Sequence, residues 1–298
     1  MALALLRLPD AQLLPLRHAY GEAVAAKRRQ MVLGFALLIA AILLSGWVAE
    51  VQPALFLRNL GGFFSYFGRL FLFDGGSLKG QLVFTNFGEW YWGLAGWASL
   101  LFDTILIAYL ATLIGSIGGF FACFLAAGNL TPSPWIRGVV KRMLEFCRTV
   151  PEIVFALIFV VAFGLGPLPG VLAIAIHTLG ANGKLFTEVV ENIDMKPVEG
   201  AIATGSTWTE SIRFAVLPQV LSNFASYALL RFEVNVRGAS VMGFVGAGGI
   251  GQDLIEAIRK FYYADVSAIL LMILLTVMLI DYGTQHLRHY LLGRDARG

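Results

Sequence analysis

From Thr104 to Ile136 the chain carries no Asp, Glu, Lys, Arg or His. An apolar run of that length exceeds the roughly 20 residues a helix needs to cross a bilayer. It also exceeds by far the strands of about ten alternating residues from which a transmembrane barrel is built. Lipid offers backbone amides and carbonyls no partners, so such a run must be helical. The rest of the chain agrees. Only 14% of its 298 residues are charged, 58% are apolar, and the mean hydropathy is +0.75. Soluble domains carry about a quarter charged residues. An all-α polytopic membrane protein is therefore expected.

Six spans are expected, near 31–49, 98–127, 139–164, 170–190, 219–239 and 265–287. Met31 to Ala49 follows Lys27-Arg28-Arg29 without a small-residue cleavage pattern after it, and reads as a retained anchor. Residues 11–26 form a candidate interfacial helix. The aromatic segment 55–71, weakened by Gly61, Gly62 and Gly68, is expected to lie in the interface. Trp90, Tyr91, Trp92 and Trp97 follow as an aromatic belt. Gly115 and Gly119 have the G-x-x-x-G spacing that lets helices pack closely. Pro151 is expected to kink the third span, and GLGPLPG (164–170) to make a tight hairpin. Fourteen of the 22 Lys and Arg fall on the sides holding the two termini and the loops 129–148 and 191–218. Only Arg58, Arg69, Lys79, Arg259 and Lys260 fall on the other. By the positive-inside rule both termini are cytoplasmic. Two units are expected, 1–93 and a core 94–298 containing the polar loop 191–218.

That loop needs a reason inside so apolar a chain. It reads as a polar, short-helix segment from Val198 to Arg213, preceded by Pro197. Leu217-Pro218 is expected to stop it, and the cluster Gly243 to Gly251 to end the apolar helix that follows. A docking soluble partner would account for it. Glu199-Gly200-Ala201, Gly205 and Ala215-Val216-Leu217-Pro218 have the spacing of a known pattern. The stretch resembles the EAA motif of bacterial ABC-importer permeases, with Glu199, Ala201, Gly205, Leu217 and Pro218 matching. Gly200 and Ala215 depart from the usual alanine and isoleucine. RTVPEIVFALIFV (148–160), HTLGANGKLFTEVVE (177–191) and RFEVNVRGASVMGFVGAGGIG (231–251) extend the resemblance to about 95–292. They place the chain near the methionine-permease-like group, closest to phosphonate- and phosphite-type permeases.

The resemblance implies a coupling helix seated in a cleft of a cytoplasmic ATPase dimer. It implies a homodimer in the inner membrane, served by a periplasmic substrate-binding protein. It implies a transport subunit and no enzyme. No Walker A sequence occurs, so ATP and Mg belong to the partner ATPase, and no cofactor is expected in this chain. No nucleic-acid partner is expected either. The solute is expected to be a phosphonate- or phosphite-type oxyanion. Methionine or another small solute is the alternative within the class. An intramembrane enzyme would need a nucleophile and base or two metals, which the sequence does not offer.

Two further groups stand out. Arg231, Glu233, Asn235 and Arg237 are polar positions inside the fifth span, where charge is costly and functional by default. They read as a polar lining of a translocation path or as an internal structural ion-pair network, with Glu233 and Arg237 an i, i+4 pair. Gly246, Gly248, Gly249 and Gly251 satisfy G-x-G-x-x-G, but a dinucleotide site needs a βαβ unit. They are expected to serve a gate or close packing. His177, His286 and His289 lack metal-site spacing, Lys184 is placed to snorkel, and Cys123 and Cys147 are too few for a disulfide framework.

Overall fold

The computed structural model describes residues 10–295. Residues 1–9 and 296–298, which include Arg297 of the basic tail, lie outside the described residues. Among the described residues there is no β-strand, only an isolated bridge between Leu72 and Leu82. The chain divides into the units Met1–Ser65 and Tyr66–Gly298.

In the first unit, helix α1 runs unbroken over Asp10–Val48, so the interfacial segment and the first span expected as separate pieces are one helix. Nothing between them terminates the helix, and Pro15, inside it, costs one backbone hydrogen bond without breaking it. Helix α2 follows at Pro53–Arg69 through Gly61 and Gly62, its last residues belonging to the second unit. These glycines weaken it by about 1 kcal/mol each relative to alanine without breaking it.

The second unit opens with the short α3 (Phe87–Trp90) and the long α4 (Leu94–Ala126). Helices α5 (Pro134–Thr149) and α6 (Glu152–Phe163) meet at a bend of 85°. The kink expected at Pro151 is thus a near right-angled turn. Val150 precedes a proline and is pushed out of the helical region. Val150 (ψ 124°) and Pro151 (ψ 137°) are both extended, and two extended residues turn the chain further than a kink. At 12 residues, α6 is about 18 Å long and cannot span a hydrocarbon core of about 30 Å alone. Gly164 (φ 88°) and Gly166 (φ 140°) make the tight turn into α7 (Pro167–Glu191).

Helix α8 (Lys196–Ala203) and the four-residue α9 (Trp208–Ser211) make up the polar loop. A π-helical turn over Ile212–Val216 joins α9 to α10 (Leu217–Met242) without a break. Pro218 therefore does not stop the segment as expected. The break lies at Gly205, whose φ of 90° suits glycine. After the glycine turn, the polar stretch 252–264 contains a helix missed in the sequence, α11 (Gly251–Arg259), before α12 (Tyr263–Asp295). Among the described residues, three segments are long and apolar enough to cross a membrane: His18–Val48, Leu94–Ala126 and Tyr263–Leu291. The bent α5–α6 pair would make a fourth. Helices α7 (25 residues) and α10 (26 residues) are long enough but more polar.

The centre of the second unit is the α4–α7 seam. A Cβ added at Gly115 would lie 2.6 Å from the carbonyl oxygen of Ala175, and one at Gly119 2.8 Å from the backbone nitrogen of Gly183. A Cβ at Gly180 would meet backbone atoms of α5 at 2.6 Å. These backbones touch because no side chain separates them. Two apolar layers close the ends. Phe124, Phe186, Val198, Val216 and Phe224 pack at the polar-loop end. Val83, Trp90, Trp97, Ile250 and Ile269 pack at the other.

Gly119→Val is expected to pry α4 from α7, because the colliding atom is backbone and has nowhere to go. Overpacking of this kind costs about 1–3 kcal/mol. A loss of the monodisperse peak in detergent chromatography, alongside a normal profile for Gly61→Val, would bear this out.

Candidate functional site

The polar loop is a built platform. Val198 is 2% exposed and sits in the apolar layer with Phe124, Phe186 and Val216, with Ala201 packed beside it, so α8 is anchored by one face. The Asp194 carboxylate accepts from the Lys196 amide (3.1 Å) at the start of α8. Thr207 and Glu210 form a reciprocal capping box at α9. Hydrogen bonds from the Thr207 backbone and hydroxyl hold the Glu210 carboxyl below its ordinary range. Trp208 donates its indole N–H to the Leu130 carbonyl (3.1 Å), pinning α9 to the α4–α5 turn. Asn129 of that turn donates to the Val190 carbonyl (2.8 Å). Glu191 takes the Gly128 amide and the Lys141 ammonium, both at 2.9 Å.

What this platform presents outward is compact. Glu199, Gly200, Ile202, Gly205 and Pro218 are exposed, while Ala201 and Leu217 are half-buried. No atom lies within 4 Å of a Cβ added at Gly200 or Gly205. Glycine at 205 is needed for its backbone conformation, and the space beside it is free for a partner.

The four polar residues of α10 do not form one lining. Asn235 is 1% exposed and donates to the hydroxyls of Thr112 on α4 (2.8 Å) and Thr178 on α7 (2.9 Å). It is a clamp among three helices. Arg231 contacts His177 Nδ1 of α7 and lies beside Glu152 at the start of α6. His177 Nδ1 and Glu152 Oε2 are 3.9 Å apart, and a Cβ on Gly238 would come within 2.7 Å of Glu152 Oε1. Glu233 is buried and pairs with Arg237, as their spacing predicts, while the Arg237 side chain remains 53% exposed. Asp281 and Arg288 of α12 interact with the same carboxylate. The two arginines thus belong to two separate networks, each with its own acid. Glu152 and His177 were not singled out as partners of Arg231 in the sequence, because they lie on other helices.

The glycines 246–251 pack rather than open a cavity. A Cβ on Gly246 would lie 2.2 Å from Leu165, one on Gly249 2.5 Å from Thr104, and one on Gly251 2.2 Å from the Ser240 carbonyl. A Cβ on Gly248 would lie 3.0 Å from the Pro167 Cα. The Ile250 amide donates to Thr104 Oγ1 (2.9 Å), and the Gly166 amide to the Gly246 carbonyl (3.0 Å). The loop seals the start of α4 and α7 to the end of α10.

Residues 117–291 match the family described as binding-protein-dependent transport system inner membrane component. The chain is 43% identical over 198 residues to the phosphite transport system permease protein of Stutzerimonas stutzeri, covering 66% of this chain and 72% of that one. It is 50% identical over 119 residues to a putative cryptic phosphonate transport system permease protein of Escherichia coli K12, covering 40% of this chain and 98% of that one. It is 39% identical over 178 residues to the phosphate-import permease protein of Mycolicibacterium smegmatis, covering 60% of this chain but 34% of that longer one. The inward-facing MetNI methionine ABC transporter has a similar fold, with a TM-score of 0.58 and 17% identity over 65% of this chain and 95% of that one.

Asn235→Val removes two buried interhelical bonds, each worth about 0.6 kcal/mol in a membrane bundle. Arg237→Gln breaks a pair whose cation is half in solvent, worth about 0–1 kcal/mol. Thermal unfolding in detergent should therefore show the larger drop in midpoint for Asn235→Val. The reverse order would contradict the clamp.

Proposed function

This chain belongs to the family of inner membrane components of binding-protein-dependent transport systems, and from that membership we propose that it is the permease subunit of an ATP-driven importer of a phosphonate- or phosphite-type oxyanion. The observation that carries the solute class is the 43% identity to a phosphite permease over 72% of that protein's length. The permease does no covalent chemistry. It converts closure of a partner ATPase into alternating exposure of a path through the membrane. In this reading ATP and Mg are held by that partner, and this chain holds no cofactor. A second copy of the chain, a cytoplasmic ATPase dimer and a periplasmic binding protein complete the assembly.

The exposed edge of α8, with Glu199, Ala201 and Gly205, is the coupling helix in this reading. Its support is the match to the EAA pattern together with the open space beside Gly200 and Gly205. Leu217 and Pro218 belong to the joint behind it. Arg231 is the stronger candidate for the path. Its Nε is buried without a hydrogen-bond partner among the described residues, so its donor capacity is not exhausted within the chain. A guanidinium fork suits a phosphorus oxyanion, and Glu152 beside it limits how tightly an anion is retained. Glu233 and Arg237 form the second charged set, at the α10–α12 side. Gly246, Gly248, Gly249 and Gly251 close the outer end.

Six spans follow when α5 and α6 count as one bent crossing, alongside α1, α4, α7, α10 and α12. The charge bias then puts both termini and α8 in the cytoplasm. Reporter fusions after Gly76 should report the periplasm and fusions at Lys196 the cytoplasm. A cytoplasmic signal at Gly76 would remove the coupling helix from reach of any ATPase.

The solute is tested in proteoliposomes holding the permease, its ATPase and its binding protein. ATP-dependent uptake of phosphite or a simple alkylphosphonate is expected, and uptake of methionine but of neither anion would overturn the reading. Gly205→Val forces a β-branched residue to positive φ, at a cost of about 1–2 kcal/mol, and should uncouple ATP hydrolysis from uptake. Gly205→Asn, which tolerates that region, should retain uptake. Arg231→Gln should cut anion uptake in complexes that still hydrolyse ATP.

A further inference from the structure

Between the platform and α10 lies the π-helical turn Ile212–Val216. Its last bond runs from the Leu217 amide to the Ile212 carbonyl, five residues back. A π turn inside a helix loosens its regular i→i−4 ladder and is frequent at functional sites. Pro218, one residue beyond Leu217, has no amide to give. Left to itself, this joint is compliant. A pull on α8 would bend the turn before it moved α10.

One side chain bridges the joint. Gln219 Nε2 donates to the Ala215 carbonyl within the turn (2.7 Å) and to the Asp194 carbonyl (3.2 Å). Gln219 Oε1 accepts from the Asp194 amide (3.1 Å). Asp194 lies where the chain leaves α7 for α8, and its carboxylate in turn accepts from the Lys196 amide. A single amide group thereby ties three things together: the end of α7, the first turn of α8 and the π turn that leads into α10. It uses both of its hydrogen-bonding ends on one residue's backbone, which fixes direction as well as distance.

The side chain is not a core filler. It borders an open cleft of about 490 Å³ with Glu188, Asn192, Asp194, Asn223 and Tyr227, so an isosteric replacement leaves no buried void. Its neighbours Val216 and Val220, fully buried in the apolar layer, supply the packing at this level. What Gln219 adds is directional bonding across the turn.

We infer that Gln219 is a positioning residue for coupling: its amide brace across the π turn makes the docking loop and α10 move as one lever. The inference rests on the reading of α8 as the coupling helix. Beyond the brace, α10 carries Arg231, the Glu233–Arg237 pair and the Asn235 clamp to α4 and α7. A displacement delivered to α8 therefore reaches the charged helix without being absorbed in the joint.

The test compares Gln219→Met, which keeps length but loses all three bonds, with Gln219→Glu, which keeps only acceptance from the Asp194 amide. Both are made in the complete complex with ATPase and binding protein, with phosphite as the transported probe. Uptake per ATP hydrolysed should fall about fivefold in Gln219→Met, the factor that one ordinary net hydrogen bond converts to. It should fall less in Gln219→Glu. A second readout does not depend on the solute. Spin labels at Thr209→Cys and Leu221→Cys flank the turn, with Cys123 and Cys147 first replaced by alanine. Their distance distribution should broaden in Gln219→Met and narrow again in Gln219→Glu. An unchanged distribution overturns the brace, and so does a Gln219→Met complex that fails to assemble, which would make the residue merely structural. A broadened distribution with wild-type uptake per ATP overturns its role in coupling. A wild-type complex that ignores phosphite while the distribution still broadens in Gln219→Met refutes the solute and leaves the brace standing.

Discussion

Backbone contact between α4 and α7 is the constraint from which the second unit is built. In a bilayer, apolar side chains gain little by leaving lipid for protein, so close fit and hydrogen bonds must hold helices together. Gly115 and Gly119 let α4 approach Ala175 and Gly183 until backbone meets backbone. That approach brings Ser116 to Asn182 (2.8 Å) and Thr112 to within reach of Asn235 (2.8 Å), so the polar bonds exist because the glycines allow them. Gly180 repeats the device on another face of α7, where α5 presses in. Helix α7 is consequently held from two sides, with α4 and α5 both in backbone contact with it.

Charge within this frame is kept locally balanced. Arg231 sits beside Glu152, and Arg237 pairs with Glu233. An isolated buried charge would cost several kcal/mol even after relaxation, and the sequence provides an acid for each base. The pairs differ in reach. Arg237 and Glu233 are one turn apart on α10, so their bond stiffens a single helix. Arg231, His177 and Glu152 come from three helices, so that network joins α6 and α7 to α10. Because α6 is short and set off by an 85° turn, this polar junction at its first residue is a main tie between it and α10.

Periodicity and spacing in the sequence were informative wherever the determinant was local. The uncharged run gave α4, the G-x-x-x-G pair gave the seam, and the GLGPLPG turn fell where glycine and proline put it. The i, i+4 pairing of Glu233 and Arg237 was equally readable. Readings failed where a residue's effect depends on its surroundings. Pro218 looked like a stop because proline usually is one, yet a π turn lets the helix pass through it. The bend at Pro151 is where the sequence puts it, but its size, 85°, depends on Val150 being extended as well. The bonds from Asn235 to Thr112 and Thr178 were not legible, because those residues lie on two other helices. Gln219 carried no signal at all, since its partner Asp194 lies 25 residues back and on no shared helix.

These features together give the bundle an asymmetric stiffness. Helix α10 is fixed at its far end by the glycine loop, where Gly246, Gly248, Gly249 and Gly251 leave no free space, and at its middle by a few directional bonds. At its near end it runs through a π turn into an exposed platform. Rigid seams resist continuous deformation and favour discrete rearrangements. The middle bonds are individually weak, about 0.6 kcal/mol each, whereas opening the α4–α7 seam forfeits close backbone packing along several turns at once. Force applied at the platform would therefore exchange the bonds of Asn235 and Arg231 before it parts α4 from α7. That ordering would make α10 the moving element and the α4–α7 pair the frame, with Arg231 and the Glu233–Arg237 pair carried on the element that moves.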